Sequence, residues 1–230
     1  MSKSVLDEIC TLLETYKGRD KVLRTICYST KLIGGLSKDP ILQKRMQVVS
    51  SQMSQTRLIL RLLDDLPMLQ YTLEYGLGKG ENDNLMASLG VVTNIIDTIY
   101  YPIEKIGWLA ENNLISGYKT EPWDTLSSVF WAASIYLNLM RTLRYITILR
   151  QHKSCMKGSV EQETMKNLLA RQNFEIITCF RLTLDFIHAV NTLPPGFLWS
   201  SKLKTWQVGF IATISSFVGL YQIFARRSFK

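Results

Sequence analysis

An all-α protein is expected, built of amphipathic membrane-associated helices plus at least one C-terminal transmembrane helix, and three features point to it. Apolar residues recur at helical spacing along most of the 230 residues, strand-like alternation is nowhere sustained, and residues 205–225 form a 21-residue run without a charge. At about 1.5 Å per residue, about 20 residues cover a hydrocarbon core of roughly 30 Å, so that run is long enough to cross one. Hydrophobic residues make up 47% of the chain and charged residues 20%, a balance that excludes disorder. The 27 Lys and Arg against 19 Asp and Glu leave a net charge of +8, so the surface suits an anionic partner, either nucleic acid or lipid headgroups. No repeat of roughly 20–50 residues occurs, which excludes a solenoid. The four cysteines lie far apart without a CxxC pair, which argues against a disulfide framework or a zinc site. The first residues have neither the apolar core of a signal peptide nor the acid-free character of a transit peptide. The chain is therefore expected to start in the cytosol without a cleavable address.

Taken in order, residues 4–16 place Val5, Leu6, Ile9, Leu12, Leu13 and Tyr16 on one helical face, with Ser4 and Asp7 as a capping box. Gly18 is expected to break this helix and Asp20 to cap a second one, which carries Lys21, Arg24 and Lys31 and ends at Gly34 and Gly35. Pro40 suits a helix start and Pro67 a helix end, so one long helix is expected between them. Its later half gathers Leu58, Ile59, Leu60, Leu62, Leu63 and Leu66 on a wide apolar arc, facing a narrow arc of Ser54, Arg57, Arg61, Asp64 and Asp65. The run GLGKGENDN at 76–84 is a loop by composition. Helices are expected over 85–109 and 123–149; within the second, residues 125–140 are uncharged but fall short of the about 18 asked of a span. Polar, basic residues 151–163 read as a linker. An amphipathic helix marked by Ile176, Phe180, Ile187 and Val190 then stops at Leu193-Pro194-Pro195-Gly196, ahead of the C-terminal run. Basic residues flank that run on both sides, which leaves its orientation open. Four regions result: 1–84, amphipathic and cytosol-facing; 85–150, helical and associated with or partly embedded in a membrane; 151–163, the linker; and 164–230, an amphipathic helix with the spanning helix.

Few residues invite chemistry. Gly76-Leu77-Gly78-Lys79-Gly80 follows a helical stretch and lacks the spacing and preceding strand of a phosphate loop, so a flexible turn is the better account. Asp64 and Asp65 are neighbours on a helix and point about 100° apart, unlike a convergent acid/base pair. His152 with Cys155 makes at most two ligands, and His188 stands alone, so no metal set and no catalytic residue is expected. The five tryptophans could stack on bases, but Trp199 and Trp206 flank the spanning run, where an aromatic belt belongs. Nucleic-acid binding and a cofactor are therefore not expected.

A physical role remains. Six apolar side chains, Leu58, Ile59, Leu60, Leu62, Leu63 and Leu66, are expected to enter the acyl boundary of a bilayer, and even half-burial of six such side chains is worth roughly 5–9 kcal/mol. Lys44, Arg45, Arg57 and Arg61 are expected at the lipid headgroups, adding about 1 kcal/mol each against the repulsion of Asp64 and Asp65. Such a helix expands one leaflet and favours a tube over a flat sheet. The same face packed inside a soluble helical bundle is the competing expectation. In the spanning run, Gly209, Ala212, Ser216 and Gly219 form a small-residue stripe, a packing seam for another copy or for an internal helix.

Several blocks resemble the peroxin-11 family of peroxisomal membrane proteins, most closely its gamma form. They are YKGRDKVLR at 16–24, VVSSQMSQTRLILRLLDDLPM at 48–68, YGLG at 75–78, YYPIEKIGW at 100–108, and residues 191–222 across NTLPPGFLW and ATISS. Their order and spacing span nearly the whole chain. The resemblance implies a non-enzymatic protein of the peroxisomal membrane that remodels and elongates it and promotes peroxisome proliferation and division. It implies homo-oligomers, hetero-oligomers with sister peroxin-11 forms, and recruitment of membrane fission factors. The family's GRDK-type motif falls on Gly18, Arg19, Asp20 and Lys21, its amphipathic element within 48–66, and its C-terminal small-residue pattern on Gly209, Ser215, Ser216 and Gly219, with Ala212 where glycine is frequent. The mixed charge beside the leucines departs from the strongly cationic face of the best tubulating members. A membrane-anchored adaptor that recruits fission factors is the alternative, and a membrane channel a remote one. The tail Ser228-Phe229-Lys230 is not the SKL-type matrix address.

Overall fold

A computed structural model of the chain describes residues 5–115, 117, 119–155 and 162–228. They form α1 (Val5–Glu14), α2 (Tyr16–Leu36), α3 (Pro40–Arg61), α4 (Asp65–Tyr75), α5 (Asn84–Glu111), α6 (Thr120–Cys155), α7 (Gln162–Asn191) and α8 (Thr205–Ser228), with no strand among the described residues. The protein is all-α. The chain divides into two compact units, residues 1–60 with 202–230, and residues 61–201. The C-terminal region expected as one piece is thus shared, α7 going to the second unit and α8 to the first.

In the first unit α2 is the central helix. Its Asp20, Cys27 and Gly34 meet Arg57, Ser50 and Met46 of α3, so the two run antiparallel. Its Arg24, Leu32 and Gly35 meet Ser215, Gly209 and Trp206 of α8, again antiparallel. Gly34 and Gly35 were expected to end α2; instead the helix runs to Leu36 and the glycines give room for close neighbours. A Cβ on Gly35 would lie 2.7 Å from the backbone nitrogen of Trp206, and one on Gly209 would lie 2.6 Å from that of Leu32. The start of α2 also differs from expectation. Thr15, not Asp20, is the cap, its hydroxyl accepting from the Gly18 N–H at 3.1 Å. Ser4 of the expected capping box lies outside the described residues.

The second unit stacks α4, α5, α6 and α7 in antiparallel succession. Thr72 of α4 bonds Thr98 of α5 at 2.8 Å, and Gly107 of α5 lies beside Trp123 at the start of α6. Trp131 of α6 meets His188 of α7 edge-on. The core sits between α6 and α7, where Ala132, Ile135 and Leu139 pack with Leu182 and Ala189. The expected helix from Pro40 to Pro67 is two helices. It ends at Arg61, turns through 62–64, and restarts at Asp65 with Pro67 in the first turn of α4. Proline costs nothing there, because the first N–H groups of a helix have no intrahelical acceptor. The expected linker is shorter than 151–163: residues 151–155 continue α6, 162–163 open α7, and 156–161 lie outside the described residues. The loop before α5 is as expected, and Asp83 caps that helix by accepting from Met86 N–H at 2.9 Å.

Candidate membrane-contact site

The six residues expected to enter the bilayer separate by element. Leu58, Ile59 and Leu60 close α3, Leu62 and Leu63 lie in the turn, and Leu66 opens α4. Leu63 is 79% exposed, Leu66 72%, Ile59 52% and Leu60 36%, whereas Leu58 and Leu62 are half-buried. With four side chains rather than six available, half-burial is worth roughly 3–6 kcal/mol. The turn changes what α4 presents as well. Met68, Thr72 and Tyr75 face α5, and Leu66, Leu69 and Leu73 lie on the opposite side, exposed, with Leu77 exposed beyond the helix end. In the second unit the outward apolar edge therefore continues from Leu63 to Leu77.

Of the four cations expected at headgroups, two are engaged inside the protein. Arg57 Nε donates to Asp20 Oδ1 at 2.8 Å, and Arg61 donates to Glu104 Oε1 at 2.8 Å. Lys44 and Arg45 are exposed, and with Pro40, Ile41, Val48 and Val49 they line an open, mainly apolar groove of about 650 Å³ on the first half of α3. Asp65, beside the leucines, is neutralised too. Lys105 donates to Asp65 Oδ2, and that hydrogen bond, with Leu66 N–H also donating, holds the Asp65 carboxyl below the usual range. Glu104 and Lys105 are consecutive, so one point on α5 holds both ends of the 62–64 turn. A second clamp fixes the loop before α5. Arg141 of α6 donates to Glu81, and Arg144, on the same face, donates to Asp83 at 2.6 Å, which lowers the Asp83 pKa.

The GRDK-type residues build the first corner of the chain. Gly18 sits so close to the end of α1 that a Cβ would fall 1.9 Å from the Leu12 carbonyl oxygen. Arg19 donates to the Leu13 carbonyl at 2.6 Å and to that of Glu14, satisfying acceptors that the end of α1 leaves free. Asp20 takes Arg57, and Lys21 is half-buried on the adjoining turn. The small-residue stripe of α8 is buried: Ala212 and Ser216 are 1% exposed, Gly209 lies on Leu32 of α2, and Gly219 is buried. The seam left open between another copy and an internal helix is occupied at Gly209 by α2. α8 itself carries an apolar run, Thr205–Ala225, long enough to cross a membrane.

The remaining residues weighed for chemistry stay apart. His188 is buried edge-on to Trp131, His152 and Cys155 are exposed at the end of α6, and no grouping of three metal ligands occurs among the described residues. Trp199 is half-buried, its Nε1 donating to the Ile187 carbonyl at 2.9 Å and its ring meeting Phe186. Glu81, Glu104, Lys105, Arg141 and Arg144 carry no sequence signal, since their ion-pair partners lie 40–61 residues away in the chain, a separation that helical periodicity does not register.

Residues 6–224 match the family described as Peroxisomal biogenesis factor 11 (PEX11). The chain is 34% identical over 226 residues to peroxisomal membrane protein 11C of Homo sapiens, covering 94% of this chain and 93% of that protein. It is 33% identical over 228 residues to peroxisomal membrane protein 11C of Mus musculus, covering 95% and 94%. No solved structure matches. The chain belongs to the PEX11 family of peroxisomal membrane proteins, whose work is peroxisome biogenesis.

Proposed function

We propose that this protein shapes the peroxisomal membrane: its exposed leucine segment wedges into the cytosolic leaflet, elongates the membrane and promotes peroxisome proliferation and division. The observation that carries this reading is the pairing of strong exposure at Leu63 and Leu66 with ion pairs at Arg61 and Asp65 beside them. With Arg61 and Asp65 already paired, the apolar edge enters the acyl boundary without stranding either charge there. Lys44 and Arg45 supply attraction to anionic headgroups, since Arg57 and Arg61 are engaged within the protein. α8 is the anchor, and an anchored chain holds its leucine segment at high effective concentration next to the bilayer.

The function is mechanical rather than catalytic, with phospholipid as the partner. Copies of this chain and sister peroxin-11 forms assemble beside one another and add their wedges, and fission factors act on the resulting tube. Leu60→Glu with Leu63→Glu in the full chain tests the wedge. Loss of tubulation of reconstituted vesicles, together with loss of peroxisome elongation in cells, supports it. Elongation retained in cells despite lost tubulation identifies an adaptor that recruits fission factors.

A further inference from the structure

The first unit is turned inside out. Apart from Leu12 and Val208, its buried side chains among the described residues are small or polar: Arg24, Ser50, Thr213, Ser215, Ser216 and Gln222, beside Cys27 and Ala212. Its exposed side chains include large apolar ones, Ile26, Ile33 and Leu36 on α2 and Phe210, Phe217 and Tyr221 on α8. A water-soluble helical unit has the opposite arrangement.

The inversion is sharpest on α2, a helix that by its charges reads as cytosolic. Asp20 and Arg24 bond to α3 and α8 respectively, and Lys21 and Lys31 share that side of the helix, both half-buried. Val22, Ile26 and Ile33 lie opposite, and from Val22 to Leu36 this outer arc carries no charge. α2 has 21 residues, as does the apolar run of α8. The contacts of Gly35 with Trp206 and of Arg24 with Ser215 set the two helices level along their length. In the sequence, Lys17 and Arg19 precede the outer arc of α2 and Lys38 follows it, while Lys202 and Lys204 precede the apolar run of α8 and Arg226 and Arg227 follow it. Arg24, a buried charge, has the Ser215 hydroxyl at 3.3 Å and the Tyr28 ring 5.6 Å away, partners of the kind a cation needs at low dielectric. α3 is mixed on its exposed side, with Lys44, Arg45, Gln52 and Gln55 exposed beside Ile41 and Val48.

We infer that α2 is a second membrane-embedded helix, its Val22, Ile26, Ile33 and Leu36 face covered by the acyl chains of the lipids that surround α8. The inference rests on the membrane-spanning assignment of α8 and adds a helix that hydropathy does not select.

Brominated-lipid quenching tests it on the full chain in phosphatidylcholine vesicles. Bimane is placed at Ile26→Cys, Ile33→Cys, Phe217→Cys or Gln52→Cys, in a background with exposed Cys10 and Cys155 and half-buried Cys179 replaced by Ser. Labels at 26 and 33 are expected to be quenched by acyl-chain bromines as strongly as the label at 217, and severalfold more than the label at 52. If 217 is quenched while 26 and 33 respond to aqueous iodide instead, α8 is embedded and α2 is not, which overturns the inference. If no label is quenched by bromine, the assignment of α8 fails and takes the inference with it. Should the cysteine-depleted chain misfold, a photoactivatable phosphatidylcholine applied to the unaltered chain gives the same decision: crosslinks on residues 22–36 support the inference, and crosslinks confined to α8 overturn it.

Discussion

Lys105 on α5 donates to Asp65 at the head of α4, one residue along from the Glu104 carboxylate that takes Arg61 at the end of α3. The two ion pairs straddle the 62–64 turn and fix the angle at which Leu63 and Leu66 face outward. Lys105→Met or Glu104→Gln is expected to loosen that turn without unfolding the α6 and α7 core. Hydrogen exchange at 62–68 should accelerate severalfold while residues 132–139 and 182–189 keep their protection; unchanged exchange at 62–68 would mean that the clamp holds nothing.

Both clamps respond to acid in the same sense. Asp65 and Asp83 have carboxyl pKa values lowered by their hydrogen bonds to Lys105 and Arg144. A group whose folded pKa is depressed stabilises the fold above its unfolded value, about 3.9 for Asp, and that contribution is lost as pH falls from there through the folded value. Protection of the 62–64 turn and of the 76–83 loop is therefore expected to be flat from neutral pH to about pH 5 and to fall below about pH 4. Asp83→Asn should abolish the acid response of the loop alone.

Asp20 and Arg57 join α2 to α3 with side chains 17% and 13% exposed. A charged hydrogen bond at that depth is worth about 1.5–3 kcal/mol. Asp20→Asn is expected to lower the stability of the first unit by that order, measured by denaturant titration in detergent micelles. Exchanging the pair, Asp20→Arg with Arg57→Asp, should restore part of the loss; no recovery would show that geometry rather than charge decides there.

Gly209 leaves no room for a side chain against Leu32. Gly209→Leu overpacks the seam, with an expected cost of about 1–3 kcal/mol. The variant should unfold at lower denaturant and lose a disulfide engineered between positions 35 and 206, whereas Phe210→Leu on the exposed face of α8 should do neither.

Most of the helical architecture was legible in the residues. The apolar run of α8, the loop before α5 and the stop at Leu193-Pro194 are local signals, and each is found where periodicity and turn composition place it. The errors share a cause. Gly34, Gly35 and Pro67 are ambiguous in one dimension: glycine ends a helix or admits a neighbour, and proline ends a helix or sits in its first turn. Asp64 shortly before Pro67 was the readable sign of a new start. The ion pairs of Arg57 and Arg61 depend on residues about 40 positions away, so no local pattern could show that these cations were already engaged.

Depth at Leu63 tests the central claim most directly. A nitroxide at Leu63→Cys, in the full chain reconstituted in anionic vesicles, should be relaxed more by oxygen than by an aqueous nickel chelate, at a depth just below the headgroups. A label that meets the nickel chelate as freely as one at Gln55, in vesicles of every composition and curvature tried, would contradict the account.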